Sequence, residues 1–362
     1  MASKSHLDTL DPTPGDVPRE LHFTPTNGPV DDTIDALMSM VGGIDQRGVV
    51  REMILASLKA GQESDRLADL KLMNASLKEM RFTSKVFAPY RGRRKVSVFG
   101  SARVPQGTPA YTMARRLGRR LAEAGYMVIT GGGPGIMQAI NEGAGADNSF
   151  GINIRLPFEQ KPNPVVDGNP KSINYKYFFN RKVAFLKEAD AIVLFPGGFG
   201  TLDEAMETLT LVQTGKRNPL PVIMVEVPGR AYWDAWRNCL IHQLEGAGFV
   251  RPDDLAIFQI VTSEEAVVEA IDAFYTRFHS LRQVGPKLVL RLKAALPAAG
   301  VDALRREFHD LLLTGGTMEP SGPLPAEADE PHLAHLPRLI LDFNRESFAR
   351  LKQLIEALNR WV

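Results

Sequence analysis

Between Val96 and His279 one pattern recurs: a short apolar run, a polar or glycine-bearing turn, then a stretch of helical periodicity. Val96–Phe99 reads as a strand, Ala110–Ala124 as a helix, Met127–Thr130 as a strand, Ile136–Asp147 as a helix and Phe150–Ile154 as a strand. Tyr177–Glu188 follows as a helix, Ala191–Phe195 as a strand, Leu202–Thr214 as a helix and Val222–Val227 as a strand. Tyr232–Glu245, Ile257–Val261 and Glu264–His279 complete the series as helix, strand and helix. Runs this short, without the period-two alternation of a half-exposed strand, belong to a parallel sheet covered on both faces. The expectation is an α/β fold, a doubly wound, Rossmann-like sheet over residues 95–280.

The flanks read differently. The first 30 residues, with Pro12, Pro14, Pro18, Pro25 and Pro29, lack apolar periodicity and read as a disordered arm. Residues 31–94 are helical in pattern, and Leu67, Leu70, Met73, Leu77 and Met80 mark one buried helix face. The basic run Arg91-Gly92-Arg93-Arg94-Lys95 reads as a solvated linker. Within residues 281–362, Lys287-Leu-Val-Leu-Arg-Leu precedes a helix near Val301–Leu313, and Arg338-Leu-Ile-Leu-Asp-Phe precedes one near Arg345–Leu358. They suggest a small β-α appendage, with Gly315–His335 as a loop between them.

Composition narrows the function. Lys+Arg 43 against Asp+Glu 42 leaves a net charge of +1, so no whole-molecule field holds a polyanion, and nucleic acid is a disfavoured partner. The single cysteine, Cys239, excludes an internal disulfide and a thiolate zinc cage; beside Trp233, Trp236 and Leu240 it reads as core. His332 and His335 form H-x-x-H without a third ligand and read as surface histidines. The opening residues have no apolar core of the secretory type, and no run approaches about 18 apolar residues, so the expected location is the cytoplasm, away from membrane.

Three glycine turns follow three of the strands: Gly100-Ser101-Ala102-Arg103, Gly131-Gly132-Gly133-Pro134-Gly135 and Pro196-Gly197-Gly198-Phe199-Gly200-Thr201. In an open parallel sheet such turns lie where ligands bind. Glycine admits an anion close to the backbone, and the helix behind each turn offers unpaired N–H groups and a positive dipole end. A dinucleotide fingerprint fails, because the third glycine of G-x-G-x-x-G falls on Ile136 or Gln138; no P-loop motif occurs. A mononucleotide fits better. Thr201 and Glu204 also have the spacing of a capping box, which would satisfy the helix's first amides without preventing Thr201 from touching a ligand.

Pro-Gly-Gly-x-Gly-Thr-x-x-Glu, Pro196–Glu204, resembles the signature of the LOG (LONELY GUY) phosphoribohydrolases, which are often mislabelled lysine decarboxylases. The resemblance runs from Val96 to Phe278 and includes Gly100-Ser101, the triple glycine before Ile136-Met137, and the pair Arg181-Lys182. It implies hydrolysis of the N-glycosidic bond of nucleoside 5′-monophosphates, with AMP-like purine or cytokinin riboside monophosphates as substrates, and no metal or cofactor. By the same resemblance Arg181 and Glu204 are catalytic, and Gly197, Gly198, Gly200 and Thr201 hold phosphate. Ser101, Gly132, Gly133, Lys182, Glu159 and Thr210 join them as substrate contacts.

The chemistry suits these residue types. Loss of the base builds positive charge on the ribose, which a carboxylate stabilises, as in glycoside hydrolysis. An arginine, always protonated, suits an electrostatic or orienting role. Phosphate held away from the scissile bond positions the sugar. The loop Pro157–Ile173 is expected to cover the pocket. The resemblance further implies a homo-oligomer formed by helices flanking the site, with Gln213-Thr214-Gly215-Lys216 near the interface, while the terminal regions serve assembly or an effector. Lysine decarboxylation would need a Schiff-base lysine with pyridoxal-phosphate partners, which the motifs do not specify. The alternative is a nucleotide- or cofactor-binding carrier or sensor without turnover, a class to which the molybdenum-cofactor carriers belong.

Overall fold

The structure, a computed structural model, describes residues 27–156 and 161–361. The chain forms two compact units, residues 1–78 and 79–362. In the first, α1 (Pro29–Val41) and α2 (Arg47–Glu63) pack through Ile34, Met38 and Leu55, and Arg51 pairs with Asp31. α3 (Leu67–Phe87) begins in the first unit and ends in the second. Its helical periodicity is present, but the stripe expected to be buried is not: Leu67, Met73, Leu77 and Met80 are all exposed. The buried residues of α3 are Thr83 and Phe87, at its C-terminal end.

The second unit opens with β1 (Lys95–Phe99), α4 (Pro109–Glu123), β2 (Met127–Thr130), α5 (Ile136–Ala144) and β3 (Ser149–Ile154). It continues with β4 (Ser172–Tyr175), α6 (Phe178–Lys187), β5 (Ala191–Leu194), α7 (Phe199–Gln213), β6 (Val222–Val225), α8 (Tyr232–Leu240), β7 (Phe258–Val261) and α9 (Glu264–Phe274). The seven strands form one parallel sheet in the order β4-β3-β2-β1-β5-β6-β7. The fold is the expected doubly wound α/β sheet. Alternate residues of each strand face opposite layers. Val96, Val98, Val128, Val193 and Ile223 meet α4, α5 and α9 on one side, while Met127, Ile129, Ile152, Ile192 and Met224 meet α6, α7 and α8 on the other. Strand order reverses between β1 and β5, and the crevice at that point is where such sheets take ligands.

Several boundaries differ from the sequence expectation. β4 is unexpected: its first two residues end the stretch read as a loop, and its polar Ser172 and Asn174 and its edge position hid it. α5 stops at Ala144 instead of Asp147, because Gly145 at φ +77° caps it. α9 stops at Phe274, and Phe278–Val284, partly read as helix, is the strand β8. The basic run is not a simple linker: Arg93 donates to Asn148 and Gly125, Arg94 pairs with Asp190 and stacks on Tyr275, and Lys95 is buried in β1. Cys239 is exposed. Trp233, Trp236 and Leu240 occupy one side of α8, and Cys239 points off it.

β9 (Lys287–Leu292), α10 (Ala298–Glu307), β10 (Met318–Ser321), β11 (Arg338–Leu341) and α11 (Phe348–Asn359) follow β8. Here β10 falls in the stretch expected to be a loop, and the strands form an antiparallel sheet, β10-β11-β9-β8. Leu288, Leu290, Leu339 and Leu341 on its inner face, with Leu304, Leu351 and Leu354, continue the core beneath α9. The other face buries arginines. Arg291 and Arg338 sit opposite each other in register and meet Glu327, while Arg282 meets Asp329 and Glu330. Among the described residues no helix is long and apolar enough to cross a membrane.

Candidate functional site

The three glycine turns converge at the crevice between β1 and β5. Ser101 N–H donates to Pro196 C=O (3.2 Å) and Ile136 N–H to Ser101 C=O (3.1 Å), so the first turn stitches the other two together. A Cβ on Gly100 would lie 2.7 Å from Ile136, and one on Gly197 would overlap the Thr201 side chain. These glycines are dictated by close packing. Gly198 and Gly200 are not: a Cβ at either would meet open space, and both lie outside the positive-φ region. Gly198 is the N-cap of α7 and offers no side-chain cap. The N–H groups of Gly198, Phe199 and Gly200 take no acceptor among the described residues, which leaves the positive end of α7 open to an anion. Phe199 itself is 93% exposed.

One turn into α7 lies Glu204, 5% exposed. Its Oε2 is buried without a hydrogen-bond partner, and no capping box forms because the N-cap is Gly198, not Thr201. Burial pushes its carboxyl up to about 7, with Glu207 and Asp203 adding to the rise and Lys182 and Arg181 opposing it. Lys182 Nζ reaches Asp203 at 2.7 Å, Glu207 at 2.8 Å and Glu204 at 3.5 Å. Burial alone would lower the lysine, yet those carboxylates hold it well above its ordinary value. Arg181 is no exposed surface arginine. Its Nε donates to Ile152 C=O (2.8 Å), its guanidinium stands over the Phe185 ring, and a Cβ on Gly131 would touch it. Desolvation pulls Arg181 down while Glu204 pulls it up, and among the described residues the two form no direct ion pair.

The expected residues are thus distributed unevenly. Arg181, Lys182, Glu204, Thr201 and the glycines of the third turn come together. Thr210 does not: it is exposed, and its hydroxyl donates to Met206 C=O in its own helix. Glu159 lies outside the described residues. Gly132 gives its N–H to Thr130 Oγ1 and its C=O to Asn163 N–H, and Gly133 C=O takes Asn163 Nδ2, so both shape the turn. Gln213 donates to Asp254 and Gly215 packs on Phe348, so this stretch expected near an oligomer interface is engaged with its own chain. Residues 161–171 of the loop expected to cover the pocket are pinned by Asn163 to the triple-glycine turn. Asn163, and Tyr232, whose OH donates to Gly197 C=O, escaped the sequence reading; only their nearness to prolines and aromatics marked them. Among the described residues no cluster of His, Cys, Asp or Glu could hold a metal, and His332 and His335 are exposed.

Residues 136–271 match the model of the family described as "possible lysine decarboxylase", under which LOG proteins are grouped. A probable cytokinin riboside 5′-monophosphate phosphoribohydrolase of Oryza sativa subsp. japonica is 23% identical over 55% of this chain and 80% of its own. A cytokinin riboside 5′-monophosphate phosphoribohydrolase of Arabidopsis thaliana is 25% identical over 48% of this chain and 79% of its own. Over these stretches the chain is similar to LOG-family proteins. A pyrimidine/purine nucleotide 5′-monophosphate nucleosidase of Escherichia coli (strain K12) is 32% identical over 32% of the present chain, a match that spans 27% of the E. coli protein. A molybdenum cofactor binding protein from Rippkaea orientalis is 22% identical over 50% of this chain and 96% of its own at a TM-score of 0.36, too loose a superposition to bear on activity.

In this domain the open amides of α7 can hold an anion, and Glu204 can carry negative charge beside a bound sugar. Arg181 and Lys182 set the electrostatics around that carboxylate.

Proposed function

We propose that the protein hydrolyses the N-glycosidic bond of nucleoside 5′-monophosphates, purine or cytokinin riboside monophosphates among them, to free base and ribose 5-phosphate. The observation that carries this reading is Glu204: a buried carboxylate, its Oε2 without a partner, one helical turn behind amides open to phosphate. Phosphate on Gly198–Thr201 places the ribose over α7, where ionised Glu204 stabilises the oxocarbenium-like sugar and orients water. Arg181 faces the same centre and holds Glu204 ionised as substrate displaces water. A pure carrier gains nothing from a buried carboxylate placed beside a phosphate.

The test incubates purified protein with AMP, GMP, CMP, UMP and a cytokinin riboside monophosphate and follows free base by chromatography. Base release by wild type, lost in Glu204→Gln and in Arg181→Ala, supports the nucleosidase. No release from any nucleotide, with AMP bound equally by wild type and Glu204→Gln, overturns it in favour of a carrier or sensor.

A further inference from the structure

The arginine–lysine pair hangs on the first turn of α6, and α6 cannot cap itself: its N-cap residue is Tyr177, whose side chain makes no cap bond. A carboxylate from α3, outside both the signature motifs and the family-matched residues, instead ties the chain ahead of α6 to its first turn. Glu79 Oε1 accepts the Lys176 N–H at 2.6 Å, just ahead of α6, and Glu79 Oε2 accepts Asn180 Nδ2–H at 2.7 Å, in its first turn. One turn further along α3 the Thr83 and Tyr175 hydroxyls share a hydrogen bond in the core, at the last residue of β4. Another turn on, Phe87 stacks on Phe150 of β3, ring centroids 4.3 Å apart. Three successive turns of α3 therefore grip the β3 and β4 strands and the start of α6. Asn180 immediately precedes Arg181, and Tyr175 lies within electrostatic reach of it.

We propose that Glu79 is a positioning residue for Arg181: a carboxylate from α3 that ties the backbone ahead of α6 to the side chain of Asn180 and so fixes the turn from which the arginine reaches the site. Its charge sits at the positive end of α6, where the helix dipole favours an anion. Its two oxygens hold the backbone before the helix and the side chain of its third residue, so the turn cannot rotate about either contact alone. Thr83 gives the same brace a second anchor. This assignment rests on the nucleosidase reading for its kinetic arm only.

The experiment compares wild type, Glu79→Ala, Glu79→Gln and Arg181→Ala, and adds the Glu79→Ala/Arg181→Ala double variant. With AMP as substrate, Glu79→Ala is expected to lower kcat about tenfold while KM moves less than about twofold, since a misplaced group costs rate rather than ground-state binding. Glu79→Gln keeps one acceptor oxygen and should recover an intermediate kcat. In the Arg181→Ala background, Glu79→Ala should cost less than about twofold more, because the residue it positions is gone. Equal losses in both backgrounds, or a Glu79→Ala kcat within about twofold of wild type, overturn the assignment. Amide hydrogen exchange gives a readout independent of turnover: residues 176–182 should exchange at least about tenfold faster in Glu79→Ala while 199–204 stay unchanged. Unchanged exchange at 176–182 also overturns it. A wild type that releases no base sinks the nucleosidase reading alone, and the exchange arm still decides for or against the clamp.

Discussion

Burying Glu204 destabilises the folded chain whenever that carboxyl is ionised, so Glu204→Gln should raise stability as it removes activity. The group titrates at about 7 in the fold against an ordinary 4.5. A raised carboxyl pKa means that the folded state binds the proton more tightly than the unfolded state. Its penalty is therefore absent below pH 4.5, grows between 4.5 and 7, and is complete above 7. At about 1.4 kcal/mol per pH unit the full penalty is about 3 kcal/mol, and roughly 2 to 3 kcal/mol of it develops between pH 5 and pH 8. Glutamine keeps the shape and cannot ionise. The Tm of Glu204→Gln should thus exceed that of wild type by little at pH 5 and by about 5 °C at pH 8, at about 2 °C per kcal/mol for a unit of this size. Differential scanning calorimetry across that range measures it. Parallel Tm curves for the two proteins would refute the reasoning, because they would mean that Glu204 carries no burial-shifted charge.

Lys182 pulls Glu204 down, so Lys182→Met should move the acid limb of the kcat pH profile above the wild-type position near 7; an unmoved limb would deny the coupling. Gly197→Ala drives a methyl into Thr201 and within 3.1 Å of Ser101 N, and should cost about 1–3 kcal/mol in denaturant melts. Gly198→Ala has room for its methyl and should leave the melt within about 0.5 kcal/mol of wild type, yet lower AMP affinity about tenfold by calorimetric titration, since the methyl stands where phosphate approaches the amides. Glu327→Ala leaves buried Arg338 without a carboxylate and Arg291 with Glu330 alone, and should cost about 3–5 kcal/mol, read from urea unfolding.

What the sequence made legible was set by how locally each feature is encoded. The inner strands were readable because a strand covered on both faces must be continuously apolar, as Val96–Phe99 and Ala191–Leu194 are. The edge strand β4 carries Ser172, which takes Asn153 Nδ2–H, and exposed Asn174, and so resembles a loop. β8 forms a hairpin with β9, but its first residues continue the apolar pattern of α9; β10 pairs with β11 across a longer connection, and nothing in Met318-Glu319-Pro320-Ser321 announces that partner. The motif around Glu204 was visible because α7 holds the amides, threonine and carboxylate within one short segment. Asn163 and Glu79 act across 30 and 97 residues, and side chains that act at such distance leave no spacing to detect. Cys239 shows the opposite error: neighbours in sequence that face the core do not carry with them a residue on the far side of the same helix.

The continuous apolar layer beneath α9 decides how this chain tolerates dissection. Val267, Ile271 and Phe274 are covered by Leu281, Leu290, Leu354 and Leu358, residues that lie after the family-matched segment. A truncated chain that stops at Phe278 would keep every glycine turn and both members of the Arg181–Glu204 pair, yet open that layer to water. It should aggregate on expression, and loss of activity in it would report a broken core rather than a missing regulatory arm. Deletion scanning on this protein has to respect Glu79–Val362 as one body, and the end residues are better probed by point substitution.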